Sequence, residues 1–291
     1  MLDFIQAISD GVLFGAIYAL IGIGFTLVFG VMHKLNIAYA AASIGAAYGG
    51  LLVLSVADAP AWVVFGFAFL SGGVFGLLVY LTCFHFIPVS NPLAPLMATV
   101  GMLLLIDEVI VHATAGMPVP FPPIFEDSML HFGEFALRRD LLLLFAVSIF
   151  SMVVLLWLLY RTRLGIATRA VSQQPVAARL CGVRVDRVNA LTFVMTGMLG
   201  GIAGAMIGAS LGTLSPLLTM PLTVKGLIVT VIGGLGSIPG AIISGLLVGG
   251  LENLFQQFRG VTERDLYIMA LLFVFLVFRP RGIFAPKSGR D

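Results

Sequence analysis

The chain has 291 residues, of which 59% are hydrophobic and only 10% are charged, and its mean hydropathy is +1.09. An average soluble domain carries roughly 25% charged residues, so the composition excludes a soluble globular protein and indicates an integral membrane protein. With a formal net charge of only +2, nucleic acid is not among the expected partners, whereas membrane lipid is.

Apolar runs of about 17 to 25 residues can cross a bilayer as helices, and such runs recur along the chain. We predict nine spans, at 11–32, 36–56, 61–84, 93–112, 141–160, 188–212, 220–236, 239–258 and 265–279. Eight spans with one irregular segment is the alternative, because Gly and Pro interrupt several runs. The predicted fold class is therefore an all-α polytopic membrane protein, in which residues 1–291 form a single transmembrane domain.

The loop at 161–187 predicts the orientation of these spans. It carries an unusual concentration of arginine against one acid, Asp186: Arg161, Arg163, Arg169, Arg179, Arg184 and Arg187. Loops rich in Lys and Arg are retained on the cytoplasmic side. Nine crossings then place the amino terminus and the acidic segment 126–134 outside, and the basic carboxyl-terminal tail in the cytoplasm.

The same loop contains the signals of a short helix near 172–182. Pro175 is favourable at a first helical position, and Gly182 can end the helix in a left-handed conformation. The small residues Ala177 and Ala178 suit a knob that fits into a cleft of a partner protein. The alternative is a basic connector held by anionic lipid headgroups.

Glycine-rich segments mark two further places. Gly200, Gly204, Gly208 and Gly212 recur every four positions, which allows a neighbouring helix to approach closely. The segment from Gly233 to Gly240 interrupts the helical pattern; it is either a tight turn or a hinge beside a pathway.

Ionisable residues inside the spans are costly in lipid and must face protein or water. Lys225 lies early in the seventh span and Glu252 well inside the eighth; they are candidates for a pathway, or alternatively for an ion pair that fixes helix packing. Asp107 and Glu108 lie in the outer part of the fourth span, where a solvated helix mouth is the simpler interpretation.

Enzyme motifs are absent from the sequence. Gly208 to Gly212 spells a nucleophile-elbow pattern, but that motif requires a strand-to-helix turn, and this segment is a predicted span. The chain has no phosphate-binding loop and no histidine or cysteine spacing typical of zinc. We therefore expect no catalytic residue, no metal and no cofactor in this chain, and no disulfide between Cys83 and Cys181.

Three segments together resemble the permease subunits of high-affinity branched-chain amino acid ATP-binding cassette importers, the LivH type. The first is Gly15-Ala16-Ile17-Tyr18-Ala19-Leu20 followed by Asn36. The second runs from Arg163-Leu164-Gly165 through Gly182 and Asp186-Arg187-Val188 to Val194. The third runs from Lys225 through Gly233-Gly234-Leu235-Gly236-Ser237-Ile238-Pro239-Gly240-Ala241 to Glu252.

The chain also departs from that family's pattern. Where the family commonly has Asn-Phe-Ala-His-Gly, this chain has Asn36-Ile37-Ala38-Tyr39-Ala40, and an Arg-Pro pair is replaced by Ile87-Pro88. Both changes remove polarity near the cytoplasmic ends of spans. The expected solute is therefore a branched-chain amino acid or a related small solute such as an amide, urea or an aromatic acid.

The resemblance implies a permease domain in the bacterial inner membrane. Its expected partners are a second, LivM-like permease subunit, two cytoplasmic ATPase subunits that hydrolyse ATP, and a periplasmic or surface solute-binding protein. A secondary transporter without ATPases is the alternative. The candidate pathway residues are Asn36, Tyr39, Ser43, Lys225 and Glu252. The candidate ATPase-coupling residues are Gln173, Gln174, Pro175, Ala177, Ala178, Arg179 and Gly182.

Overall fold

A computed structural model describes residues 2–55, 60–87, 93–124, 129–132, 135–279 and 282–284. Within these ranges the chain is almost entirely helical, which confirms the predicted all-α class. The helices are α1 (Leu2–Met32), α2 (Tyr39–Leu51), α3 (Ala61–Tyr80), α4 (Ala94–Thr114), α5 (Arg139–Arg161), α6 (Arg163–Gln173), α7 (Pro175–Leu180), α8 (Val185–Leu211), α9 (Thr219–Gly233), α10 (Ile238–Arg259) and α11 (Val261–Phe278).

Short irregular segments extend some of these helices. A 3-10 turn at Leu52–Ser55 follows α2, and a π-helical turn at Leu81–His85 follows α3. Two short antiparallel strand pairs are also present. Strand β1 (Val119–Pro120) pairs with β4 (Thr213–Leu214), and β2 (Met129–Phe132) pairs with β3 (Phe135–Arg138). These pairs lie between the predicted spans and were not expected from the sequence.

Seven helical segments are long and apolar enough to cross a membrane: Gln6–Met32, Ala61–His85, Ala94–Thr114, Arg139–Arg161, Val185–Leu211, Pro216–Gly233 and Ile238–Phe258. They correspond to seven of the nine predicted spans. The second predicted span is a shorter apolar helix at Tyr39–Leu54. The ninth is α11, whose first turns carry Glu263, Arg264 and Asp265. The total of nine crossings stays a prediction.

Glycines bring the central helices into backbone contact. On α1, a Cβ added at Gly11 or Gly15 would collide with the α10 backbone at Gly249 or Gly245. On α3, one added at Gly72 or Gly76 would collide with α8. Small residues permit such close approach of membrane helices. The pairs α1–α10 and α3–α8 make the most extensive contacts between helices in the described chain. They therefore form the packed centre of the bundle.

The predicted glycine face of α8 is confirmed as a packing surface. A Cβ at Gly200 or Gly204 would meet Ser43 of α2, and one at Gly208 would meet the ring of Phe121. Gly212 then ends α8 with a left-handed φ of +71°. The Gly233–Gly240 segment is a tight turn, since a Cβ at either terminal glycine would meet the backbone of the other.

The arginine-rich loop is folded against the bundle. Val31 from the end of α1 packs with Val171, Ala178, Val185 and Val188 in a small apolar cluster. We call the end of the bundle that carries residues 161–187 the basic end. Of the predicted acidic segment at 126–134, only 129–132 are among the described residues. The basic tail beyond Phe284 lies outside them.

Candidate functional site

A buried ion pair joins α9 to α10. Lys225 Nζ lies 2.6 Å from Glu252 Oε1, and the Glu252 side chain is only 6% exposed. Lys225 also donates to the Tyr18 hydroxyl of α1 at 3.2 Å and lies over the Tyr18 ring. The interhelical ion pair predicted from the sequence as the structural alternative is thus confirmed, and it involves three helices.

A second charged pair extends this network to α11. Arg264 Nε lies 3.2 Å from Glu252 Oε1 and 3.3 Å from Asp265 Oδ1, and Lys225 Nζ lies 3.6 Å from the same Asp265 oxygen. Arg264 Nη1 donates to Gln256 Oε1 at 2.9 Å. Four charged side chains therefore stabilise one another where α11 packs against α9 and α10.

This network forms one wall of a cavity of about 500 Å³. Six charged side chains line it, and we call it the charged cavity: Asp10, Arg138, Lys225, Glu252, Arg264 and Asp265. Its apolar lining includes Phe14, Leu141, Ile207, Leu218 and Leu222. The volume falls within the roughly 300–1,000 Å³ typical of small-molecule sites, so the cavity has the size and mixed lining of a ligand site.

The charged cavity lies at the end of the bundle opposite the basic end. It is lined by the first turns of α5 and α11 and the amino-terminal parts of α1 and α9, together with the carboxyl-terminal parts of α8 and α10. The loop at 161–187 connects the other ends of α5 and α8. In the predicted orientation the cavity therefore faces the outside.

Two cavity-lining carboxylates have an oxygen without a hydrogen-bond partner. Asp10 Oδ1 and Glu252 Oε2 are both buried, and neither accepts a hydrogen bond from the described residues. Arg138, by contrast, donates to the Ser210 carbonyl oxygen at 3.3 Å and lies 3.8 Å from Asp140. These two oxygens are themselves shielded from the cavity, although the residues that carry them line it.

The structure does not bring all five candidate pathway residues together. Lys225 and Glu252 line the charged cavity, whereas Asn36, Tyr39 and Ser43 do not. The Tyr39 hydroxyl donates to the Thr196 carbonyl oxygen at 3.2 Å, and Ser43 donates to the Tyr39 carbonyl oxygen at 2.8 Å.

Tyr39 and Ser43 are packing residues in this conformation. The Tyr39 ring fills the space that glycine leaves at Gly24 of α1 and Gly200 of α8. Asn36 is buried as well, and its Oδ1 has no hydrogen-bond partner in the described chain. Within this single chain the three residues are buried away from Lys225, and their assignment to a pathway shared with a second permease subunit stays a prediction.

The predicted short helix in the basic loop is present as α7, at Pro175–Leu180. Pro175 occupies its first turn, and Gly182 has the predicted left-handed conformation with φ of +83°. Val183 donates to the Ala178 carbonyl oxygen and Gly182 to that of Arg179, both at 3.0 Å. This is the hydrogen-bond pattern of a Schellman motif, in which the two N–H groups after the helix satisfy terminal carbonyls and glycine adopts the left-handed conformation.

The two alanines of α7 differ in their environment. Ala177 is exposed, but Ala178 is buried in the cluster with Val31 and Val171. Ala178 therefore contacts its own chain, which corrects the expectation that both alanines form a projecting knob. The exposed face instead carries Val176 and Leu180, which is 85% exposed. Gln173, Gln174, Pro175 and Arg179 are also exposed.

Sequence reasoning missed Tyr18, Asp10, Arg264 and Asp265 as site residues. A signal existed for the last two, since a charged triplet opens an otherwise apolar helix at Glu263. On α4, Glu108 is exposed and lies 3.3 Å from His112, whereas Asp107 Oδ1 is buried without a hydrogen-bond partner among the described residues. The predicted solvated end of this helix stays a prediction. Among the described residues, no group of His, Cys, Asp and Glu is arranged to hold a metal ion.

Comparison with known proteins places this arrangement in context. The family model described as branched-chain amino acid transport system / permease component matches residues 7–277. The chain is 27% identical over 293 residues to the high-affinity branched-chain amino acid transport system permease protein BraD of Pseudomonas aeruginosa, covering 96% of this chain and 95% of that protein. It is 28% identical over 295 residues to the corresponding protein LivH of Escherichia coli K12, with coverage of 97% and 96%.

The fold is similar to a solved structure as well. A chain of an ABC transporter assigned to the metal-chelate type, in an inward-facing conformation, aligns with a TM-score of 0.50 at 17% identity. The alignment covers 94% of this chain and 85% of that chain. At this level of identity the likeness concerns the fold alone.

Proposed function

The chain belongs to the family of branched-chain amino acid transport system permease components, and from this membership we propose that it forms part of the translocation pathway of an ATP-driven importer. It is a non-catalytic membrane subunit. The proposed solute is a branched-chain amino acid or a related small solute. The observation that carries this proposal is the charged cavity, which opens a polar volume inside an otherwise apolar helix bundle.

Intramembrane charges are costly unless they face protein or water. Lys225, Glu252 and Arg264 meet this requirement by pairing with one another beside the cavity. A polar solute that crosses the bilayer loses hydrogen bonds to water, and apolar side chains cannot replace them. Charged side chains along the pathway can replace them. The proposed role of Lys225 and Glu252 is therefore to form the wall of the outer part of the pathway.

We propose that α7 transmits the movement of the ATPases to this pathway. Val176, Ala177 and Leu180 give it an exposed apolar face, and Gln173, Gln174, Pro175 and Arg179 surround that face. Its buried face holds Ala178 against the end of α1. A displacement of α7 would be transmitted through this contact to α1, which carries Asp10 and Tyr18 of the charged cavity.

The proposed partners are two ATPase subunits at the basic end, a second permease subunit related to this one, and a solute-binding protein at the cavity end. This assignment sets the basic end in the cytoplasm of an inner membrane, with the amino terminus outside. Arginine-rich loops are retained on that side, which supports the orientation. Family membership disfavours the alternative of a secondary transporter without ATPases.

Affinity purification tests this proposal. The full chain, tagged at its carboxyl terminus, is isolated from its native membrane in mild detergent, and the co-purifying proteins are identified by mass spectrometry. We expect ATPase subunits and a second permease in stoichiometric amounts. Isolation as a homodimer without any ATPase, together with uptake that persists after ATP depletion, would contradict the proposal.

A further inference from the structure

We propose that the surface where α5 passes into α6 binds the phosphate group of an anionic phospholipid. This site goes beyond the proposed function, because it shares no residue with the charged cavity or with the exposed face of α7. Its residues are two aromatic side chains and three arginines, and we call them the arginine–aromatic patch: Trp157, Tyr160, Arg161, Arg163 and Arg169.

An exposed apolar stripe runs along α5 and ends at this patch. The helix is long and apolar enough to cross a membrane, and Phe150, Val153 and Trp157 on it are 57% to 68% exposed. Their spacing of three or four residues places them on one helix face. Tyr160 continues this face in the last turn. Trp and Tyr are enriched where spanning helices meet the polar headgroups, which places the patch at headgroup level.

The start of α6 is held against the end of α5. The Thr162 hydroxyl accepts a hydrogen bond from the Gly165 N–H at 3.3 Å, and a Cβ at Gly165 would collide with the Leu159 carbonyl oxygen. Beyond this contact α6 exposes Arg163 and Ile166. Cationic and apolar side chains exposed together on a short helix are typical of helices that lie in the membrane interface.

Arg169 connects α6 to the aromatic end of α5. Its guanidinium carbon lies 5.4 Å from the centroid of the Tyr160 ring, and its Nε donates to the Gly165 carbonyl oxygen at 3.4 Å. A cation over an aromatic face is attracted by the ring, so the ring and the carbonyl together orient the guanidinium. A guanidinium has five N–H donors, and the other four of Arg169 have no acceptor among the described residues.

The arginines of the patch carry charge that no acid in the described part of the chain neutralises. Ion pairs to arginine do occur in that part, and they involve Arg138, Arg179 and Arg264. Arg161, Arg163 and Arg169 are exposed and belong to none of these pairs. An anion from outside the chain therefore complements their charge.

A phospholipid offers both kinds of group that the patch can bind. Guanidinium groups pair with phosphate through charge-assisted hydrogen bonds, while Trp157 and Ile166 provide apolar surface for the glycerol and the first acyl carbons. Anionic lipids attract arginines that lie next to a spanning helix. An acidic surface of a soluble ATPase would match the charge but would leave the aromatic side chains of α5 uncovered.

The α7 side of the same loop has a different character. The segment from Pro175 to Arg187 contains no aromatic residue, and Arg179 within it lies 3.8 Å from Asp186. The arginines of the loop thus divide between two partners, with lipid at α6 and an ATPase at α7.

Native mass spectrometry of the full transporter tests this site. The complex is stripped of lipid in detergent and titrated with palmitoyl-oleoyl-phosphatidylglycerol, or with the corresponding phosphatidylcholine, whose headgroup has no net charge. We expect the wild type to bind phosphatidylglycerol more tightly. In the double variant Arg163→Gln/Arg169→Gln, one phosphatidylglycerol site for each copy of this chain should weaken about tenfold or more, while phosphatidylcholine binding stays unchanged.

A matched control removes the same charge from the same loop. Arg184→Gln/Arg187→Gln alters two exposed arginines at the start of α8 and should bind phosphatidylglycerol as the wild type does. Tyr160→Leu removes the ring beside Arg169 and should weaken the site with no change of charge. Melting temperature establishes that each variant is folded. Glycerol 1-phosphate, which has a phosphate but no acyl chain, should not displace the lipid at equal concentration.

Several outcomes would overturn the lipid site. One is unchanged phosphatidylglycerol binding in folded Arg163→Gln/Arg169→Gln, and another is an equal loss in Arg184→Gln/Arg187→Gln, which would show an effect of net charge alone. Displacement by glycerol 1-phosphate would reveal a phosphate site that needs no lipid. Dissociation of the ATPases from Arg163→Gln/Arg169→Gln, with lipid binding unchanged, would assign the patch to the ATPases instead.

Discussion

Lys225 on α9 lies 2.6 Å from Glu252 on α10, the shortest ion pair within the described part of the chain. The pair joins two helices that follow each other across the tight Gly233–Gly240 turn. Both side chains are almost fully buried, so removing one partner leaves the other with weaker compensation: Glu252 keeps Arg264 at 3.2 Å, and Lys225 keeps Asp265 at 3.6 Å. Breaking a buried pair in this way typically costs about 3–5 kcal/mol.

We expect Lys225→Met and Glu252→Met each to lower the melting temperature of the purified protein. The double variant should lose less stability than the two single losses together, with a coupling free energy of about 0.5–3 kcal/mol. The control is Glu108→Gln, which breaks an exposed pair with His112 and should leave the melting temperature unchanged. Strictly additive losses would show that the two residues do not stabilise each other.

A second prediction concerns the close contact of α3 with α8. A Cβ at Gly76 would collide with the Phe193 carbonyl oxygen, whereas one at Gly66 on the same helix meets nothing within 4 Å. Gly76→Ala should therefore destabilise the protein by about 1–3 kcal/mol, as overpacking does. Gly66→Ala should be neutral or slightly stabilising, because alanine favours the helix. Equal thermal stability of both variants would contradict the packing described here.

The exposed face of α7 gives a third prediction. Leu180→Asp places a charge where we propose that an ATPase binds, so the ATPases should dissociate while the chain itself inserts and melts normally. Leu217→Asp, an equally exposed position at the other end of the bundle, should retain them. Co-purification of the ATPases is the measurement, and their full retention by Leu180→Asp would show that this face is not their contact.

Ala178 requires a different expectation from Leu180. Because it is buried against Val31 and Val171, Ala178→Trp should overpack that cluster and lower the stability of the chain even without any ATPase. Limited proteolysis of the basic loop measures this effect. A variant with unchanged protease resistance would indicate that Ala178 is free to face a partner, as the sequence alone had predicted.

Membrane orientation is the fifth prediction. In a cysteine-free background, Gln173→Cys at the basic end should be protected from membrane-impermeant thiol reagents in intact cells. Met117→Cys, which follows α4 and is exposed, should react. The reverse labelling would invert the orientation and place the charged cavity on the cytoplasmic side.

Much of the fold could be predicted from the sequence, because hydrophobic length is a direct physical requirement for crossing a bilayer. Every predicted span overlaps a helix, and Pro175 and Gly182 delimit α7 as their backbone preferences require. The glycine repeat of α8 likewise predicted close packing. These features depend on residues near one another in the chain.

The site was less predictable because it depends on contacts between distant segments. Lys225 and Glu252 could be recognised as unusual individually, but their meeting with Tyr18 and Arg264 depends on how α1 and α11 pack against α9 and α10. Tyr39 and Ser43 were assigned to a pathway from the family resemblance alone, which does not predict their packing within this chain. The glycines opposite them, Gly24 and Gly200, instead provide the space in which they are buried.

Transport by the reconstituted complex tests the central claim most directly. The chain is placed in proteoliposomes with its permease and ATPase partners and its solute-binding protein, and uptake of radiolabelled L-leucine is followed with ATP supplied to the ATPase side. We predict uptake that requires ATP and stops when the ATPases lose their catalytic glutamate. Uptake that survives this loss and follows an imposed proton gradient would contradict the account.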